Sequence, residues 1–213
     1  MNADYNMAYS AAPKKYAMMM AAPKYEDNDD SDNDDEREYK KSYSKAKESK
    51  KKRCFNGLEN RMNCDLWPQS DDEMIEVTTV DYINNESPFL AYYMTVSGHF
   101  EYDFDNNYMA YKNQEYVEGL DKPESAKAYV ATQIELDHAL ERLINELDSA
   151  GKLDKTVIVL MADHYPYELE EDSINSLSTY YRDEIEVNHN SLIMWNPKAE
   201  SVEINKPCMS TDV

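Results

Sequence analysis

The sequence predicts an α/β fold, a mainly parallel sheet flanked by helices. Two nearly unbroken apolar and β-branched runs of strand length stand at residues 89–96 and 155–161. Between them lies a long segment whose leucines recur at helical spacing. Strand, helix, strand is the crossover pattern that sets two strands parallel and lays the helix over their sheet. Apolar runs without polar alternation mark strands buried on both faces.

The elements follow in order. Residues 1–60 read as a disordered, low-complexity charged tail, with an acidic run at 26–38 followed by a basic run at 40–53. Such blocks bury too little apolar surface to offset the entropy of ordering them, and a self-associating role for the opposed charges is the alternative. Order is expected from about Trp67, so that residues 67–213 form the folded domain. Ser70 with Glu73 three residues later is a capping-box pattern, and Met74, Val77, Val80 and Ile83 then repeat at helical spacing, which predicts a helix over 70–83. Pro88 ends it, and the first strand, 89–96, runs into the small-residue turn Ser97-Gly98-His99. A polar segment rich in Tyr and Asn, extending to about Leu120, reads as a long surface loop. The second helix starts at 123–125 and runs to Ser149, with Leu136, Leu140, Leu143, Ile144 and Leu147 on one stripe and Gly151 as its C-cap. The second strand, 155–161, ends in Ala162-Asp163-His164, and a further run, 191–195, adds another strand before Asn196-Pro197.

The formal charge of -21, from 43 acidic and 22 basic residues, excludes nucleic acid and an anionic membrane surface as direct partners, because the long-range field repels both. Cys54, Cys64 and Cys208 are too scattered for a disulfide framework or a zinc cluster and read as unpaired. No stretch approaches the roughly 20 apolar residues that span a bilayer.

In parallel α/β sheets, sites form at the carboxyl ends of strands. That singles out His99 after the first strand and Asp163-His164 after the second. A carboxylate and an imidazole side by side both suit a divalent cation, which neutralises phosphate or sulfate oxygens; the alternative is a loop pair hydrogen-bonded to backbone. His138 falls off the leucine stripe and reads as a solvated helix residue, and His189 is unassigned. A Ser97–His99 nucleophile and base pair is disfavoured, since no nucleophile elbow surrounds it.

Taken together, Trp67-Pro68-Gln69-Ser70-Asp71, the string 92–99, Ile134-Glu135-Leu136-Asp137, Thr156-Val157-Ile158-Val159 and Ala162-Asp163-His164-Tyr165-Pro166-Tyr167 resemble, in order and spacing, the C-terminal half of lipoteichoic acid synthase-like phosphoglycerol transferases. These belong to the sulfatase and alkaline-phosphatase superfamily. The resemblance implies an alkaline-phosphatase/sulfatase-like fold, incomplete at both ends. It implies that Asp163 and His164 bind a divalent cation, Mn2+ or Mg2+, and that His99 contacts the substrate phosphate. It further implies metal-dependent transfer of phosphoglycerol from phosphatidylglycerol to a cell-surface polymer or glycolipid. The partner is then an anionic phospholipid head group or another phosphate or sulfate ester, met by an extracellular, membrane-anchored domain. The family's threonine nucleophile has no counterpart, because Thr78 and Thr79 fall in the first helix and Thr95 in a buried strand, and activity is expected to be impaired. A non-catalytic interaction module and a sulfuric ester hydrolase are the rival readings.

Overall fold

The computed structural model describes residues 57–178, 186–207 and 209. Most of the expected charged tail, together with Cys54, Cys208 and the last residues, lies outside them. Packing begins upstream of Trp67, because Leu58 and Met62 are already buried, against Met74.

Helix α1 (Asp71–Thr79) starts where the capping pattern places it: Ser70 is the N-cap and its Oγ accepts from the Glu73 amide at 3.1 Å. It ends earlier than the apolar period predicts, in turns over 80–84 that bury Tyr82 and Ile83. The expected surface loop after His99 instead contains α2 (Tyr108–Lys112), capped by Asn107, with Tyr108, Met109 and Ala110 all buried. Asn107 satisfies the Ala110 amide, a free donor at any helix start, which lets a five-residue helix sit inside the core.

Helix α3 (Glu124–Ser149) is the scaffold, and α1 and α2 both pack on it. Its buried ridge is not the leucine stripe. Ala126, Ala128, Ala131, Thr132, Glu135, Ala139 and Leu147 face inward, while Leu136, Leu140, Leu143 and Ile144 are half-buried. Small residues let α2 approach closely, and Ala110 and Val117 seat on Ala128 and Ala131. Gly151 follows the helix in the left-handed region, at φ 66°, which closes it sharply.

Among the described residues the sheet is a two-stranded antiparallel one rather than mainly parallel. Strand β1 (Ile158–Met161) pairs antiparallel with β2 (Leu192–Trp195), in the register Ile158 to Trp195 and Met161 to Leu192. The run at 89–96 carries a single bridge at Leu90, with no ladder to β1 among the described residues. Neither run is buried on both faces: Tyr92 and Met94 are exposed, as are Val159 and Met161, while Ala91, Tyr93, Ile158 and Leu160 turn toward the helices. An apolar run specifies extended backbone but not how many layers cover it, and here one face alone packs, on Tyr82, Ile83 and Leu147. Helix α4 (Glu171–Leu177) lies between the two strands in sequence and touches α3.

The reading of the cysteines is corrected at Cys64, which is disulfide-bonded. No described helix is long and apolar enough to cross a membrane.

Candidate functional site

The turn that carries His99 is held from four sides. Asp71, the first residue of α1, is fully buried and accepts hydrogen bonds from the Val96 amide at 3.0 Å, the Ser97 amide at 2.7 Å and Ser97 Oγ at 2.5 Å. The Gly98 amide donates to Thr132 Oγ1 on α3 at 3.1 Å, and the Tyr102 hydroxyl donates to the Gly98 carbonyl at 3.0 Å. Asn107 closes the loop, its side-chain amide donating to the His99 and Glu101 carbonyls at 3.2 and 2.9 Å. Gly98 sits at φ 87°, and a Cβ there would fall 2.5 Å from Gln133 Nε2. The positive φ therefore favours glycine here, and any larger residue would also have to displace the Gln133 side chain.

His99 itself is exposed, its ring stacked on Phe100 and set edge-on to Trp67 at 5.7 Å between centroids. Its Nδ1 lies 2.6 Å from the Phe100 carbonyl oxygen. A carbonyl only accepts, so Nδ1 carries the proton and Nε2 is the nitrogen presented outward.

Asp163 and His164 follow β1 in an exposed bend, with side chains 86% and 53% accessible. The local geometry repeats that of His99: His164 Nδ1 lies 2.7 Å from the Tyr165 carbonyl oxygen, again leaving Nε2 as the open nitrogen. Asp163 Oδ1 accepts from the His164 amide at 2.9 Å, while its Oδ2 lies 3.6 Å from His164 Nε2. The hydrogen bonds to backbone that one of the two readings expects are present, and the carboxylate oxygen and imidazole nitrogen that a cation would need lie side by side. Two such donors fit one Mn2+ or Mg2+ ion, and fixing the tautomer through Nδ1 is how ligating histidines are oriented. No group of three or more His, Cys, Asp or Glu side chains able to hold a metal occurs among the described residues.

Two tyrosines stand between the His99 turn and the cleft that His164 lines. Tyr129 of α3 packs edge-on against Tyr102, whose hydroxyl holds the Gly98 carbonyl, at 5.8 Å, and lines a cleft of about 260 Å3 with Ala162, His164, Tyr165 and His189. Burial pushes the Tyr102 hydroxyl well above its ordinary range, and the nearby Tyr129, Tyr167 and Glu168 add to the shift. Burial likewise raises Tyr129. Both phenols stay protonated as donors at neutral pH.

Sequence reasoning missed His189, on the wall of this cleft, and the supports Asp71, Asn107, Tyr102 and Thr132. Asn107 before Tyr108 was readable as an N-cap, but the others act across 25 or more residues of chain or through a lone hydroxyl, for which no local pattern exists. His138 is not simply solvated: it is half-buried and lies edge-on to Tyr116 at 5.8 Å. Thr78 and Thr79 are fully buried, as helix placement requires, whereas Thr95 is exposed rather than inside a buried strand.

Behind the site, Glu135 joins three helices. Its fully buried carboxylate accepts from Ser70 Oγ, from Asn113 Nδ2 at 3.1 Å and from the Asp72 amide at 3.4 Å, and pairs with Lys112 at 3.1 Å. Beside it, Arg142 clasps Asp72 through Nε at 2.5 Å and Nη2 at 3.1 Å. Burial raises Asp72, but the hydrogen bond and charge of Arg142 outweigh it, and the carboxyl lies below its ordinary value.

Among known proteins, the chain is 28% identical over 99 residues to the Lipoteichoic acid synthase-like YvgJ of Bacillus subtilis, covering 46% of this chain and 15% of that protein. It is 30% identical over 80 residues to the Lipoteichoic acid synthase of Staphylococcus aureus, covering 38% of this chain and 12% of that one. The chain thus spans well under a fifth of the length of these relatives. No solved structure matches it. The sequence model of the Sulfatase family matches residues 5–212, which starts far upstream of Trp67 and takes in nearly the whole chain. The chain belongs to the Sulfatase family.

Proposed function

We propose that this chain carries part of a metal-assisted site for phosphate or sulfate esters, with phosphoglycerol transfer from an anionic phospholipid head group as its closest chemistry. The observation that carries the reading is the matched geometry of His99 and His164, each with Nδ1 committed to a neighbouring carbonyl and Nε2 left uncommitted by that bond. Membership of the family and the likeness to lipoteichoic acid synthases support the substrate class.

In this reading Asp163 and His164 hold a divalent cation, Mn2+ or Mg2+, through Oδ2 and Nε2. Such an ion, when bound, neutralises ester oxygens and lowers the pKa of a coordinated hydroxyl or water. His99, once protonated at Nε2, donates a hydrogen bond to a non-bridging oxygen of the ester, and Trp67 and Phe100 restrict the ring to one orientation. Tyr102 and Tyr129 wall the space between the loops and remain neutral donors.

The test is calorimetric titration of the purified chain with MnCl2, beside the Asp163→Ala, His164→Ala double variant. Binding that disappears in the variant is the expected result. Both side chains are exposed, so the variant's stability should stay within about 0.5 kcal/mol of the parent. Absence of binding in the parent, or equal binding in both, rejects the metal assignment.

A further inference from the structure

We infer that Asp71 is the positioning residue of the His99 loop, acting as a buried carboxylate that sets where the imidazole is presented to an anionic ester oxygen. The inference rests on the proposed role of His99 and adds to it a residue that touches no substrate.

The geometry is that of an anion grip turned inward. Asp71 lies at the first position of α1 and is fully buried, and both of its oxygens serve as acceptors. Oδ1 takes the Val96 amide at 3.0 Å, while Oδ2 takes the Val96 amide at 3.0 Å, the Ser97 amide at 2.7 Å and Ser97 Oγ at 2.5 Å. Consecutive amides aimed at one carboxylate fix the peptide planes of Val96 and Ser97. Those planes set the course of the chain into Gly98, where φ is 87°, and the His99 amide then bonds back to the Val96 carbonyl at 3.0 Å. From Asp71 to His99 the chain is thus a closed run of hydrogen bonds. Placement of Asp71 is in turn secured by its neighbours, Ser70 bonded to Glu135 and Asp72 to Arg142. The start of α1 is thereby tied to α3 on either side of the residue that holds the turn.

Burial raises the Asp71 carboxyl above its ordinary value, the donors from Ser97 and Val96 oppose that, and the charge of Glu135 adds to the rise. A carboxylate kept in such a place is costly for stability alone, which is why its hydrogen-bond partners, all in the His99 turn, account for it. An amide in its place has one acceptor oxygen, and its NH2 group would face the donors of Ser97.

The experiment is NMR of the histidine rings in the full chain, titrated with inorganic phosphate, on the parent and on Asp71→Asn, Ser97→Ala and His99→Ala. In the parent, the His99 signals should report a single Nδ1-protonated tautomer that shifts on adding phosphate. In Asp71→Asn, with helical circular dichroism retained, the single-tautomer signature should be lost and phosphate affinity should fall about tenfold. Ser97→Ala removes one donor without disturbing burial, and a loss of about threefold is expected. This milder variant decides the matter should Asp71→Asn fail to fold. Unchanged tautomer and affinity in a folded Asp71→Asn, or in Ser97→Ala in that case, overturn the positioning role, while His99→Ala still losing phosphate would leave the His99 assignment standing. Phosphate binding in His99→Ala equal to the parent overturns both.

Discussion

Glu135 provides the sharpest test of how the site is braced. Its carboxylate is fully buried and is shared by Ser70 from the start of α1, the Asp72 amide and Lys112 and Asn113 from the end of α2. In Glu135→Ala the Lys112 ammonium, with its side chain 34% accessible, keeps part of its hydration, so the loss belongs at the lower end for a broken buried pair, about 3 kcal/mol. Asn113 and Ser70, both buried, would be left short of a partner, which adds about 1 kcal/mol. The expected total, about 4 kcal/mol, is a large share of the roughly 5–15 kcal/mol that stabilises a domain. Urea unfolding followed by circular dichroism reads it as a fall in midpoint of about 2 M, for a slope of about 2 kcal/mol/M. Glu135→Gln keeps one acceptor oxygen and should cost about half as much. A midpoint change below about 0.3 M for the alanine variant would refute the view that this carboxylate joins the three helices.

Two further outcomes are expected. Arg142→Ala should cost about 0.5–1 kcal/mol at neutral pH, a value reduced because the pair is partly solvated. Asp72 lies below its ordinary value in the folded chain, so the pair's contribution is present above the unfolded carboxyl pKa of about 3.9 and is lost as the pH falls through the lower folded value; thermal melts of parent and variant should converge at low pH. Gly98→Ala should destabilise by about 1–2 kcal/mol through its positive φ and weaken phosphate binding in the same NMR titration, since Gln133 must swing aside and the turn shift. Gly119→Ala, where an added Cβ meets nothing within 4 Å, is the control and should change stability by no more than about 0.5 kcal/mol.

The start of α1, the whole of α3 and the strands at 158–161 and 192–195 are legible in the sequence, because caps, helical period and β-branched runs are local properties, although Lys155 falls in a 3-10 turn rather than in the strand. The places of His99, Asp163 and His164 in the chain are legible for the same reason: they follow apolar runs, and their neighbours form recognisable strings. How the strands associate was decided elsewhere. An apolar run has the same composition whether its partner is parallel or antiparallel and whether one face or both are covered, so the antiparallel β1–β2 pair and the open side at Val159 and Met161 follow only from the folded chain. The short α2 escaped because its polar flanks resemble a loop, yet Asn107 and the close packing of Ala110 on Ala128 and Ala131 stabilise it. By itself the sequence determined where the histidines and the Asp163 carboxylate stand relative to the apolar runs. Tertiary structure alone decided that a buried Asp71, far from His99 along the chain, hydrogen-bonds the His99 turn, and that Tyr129 of α3 packs on Tyr102 and lines the His164 cleft, because contacts between distant residues leave no periodic trace in a single sequence.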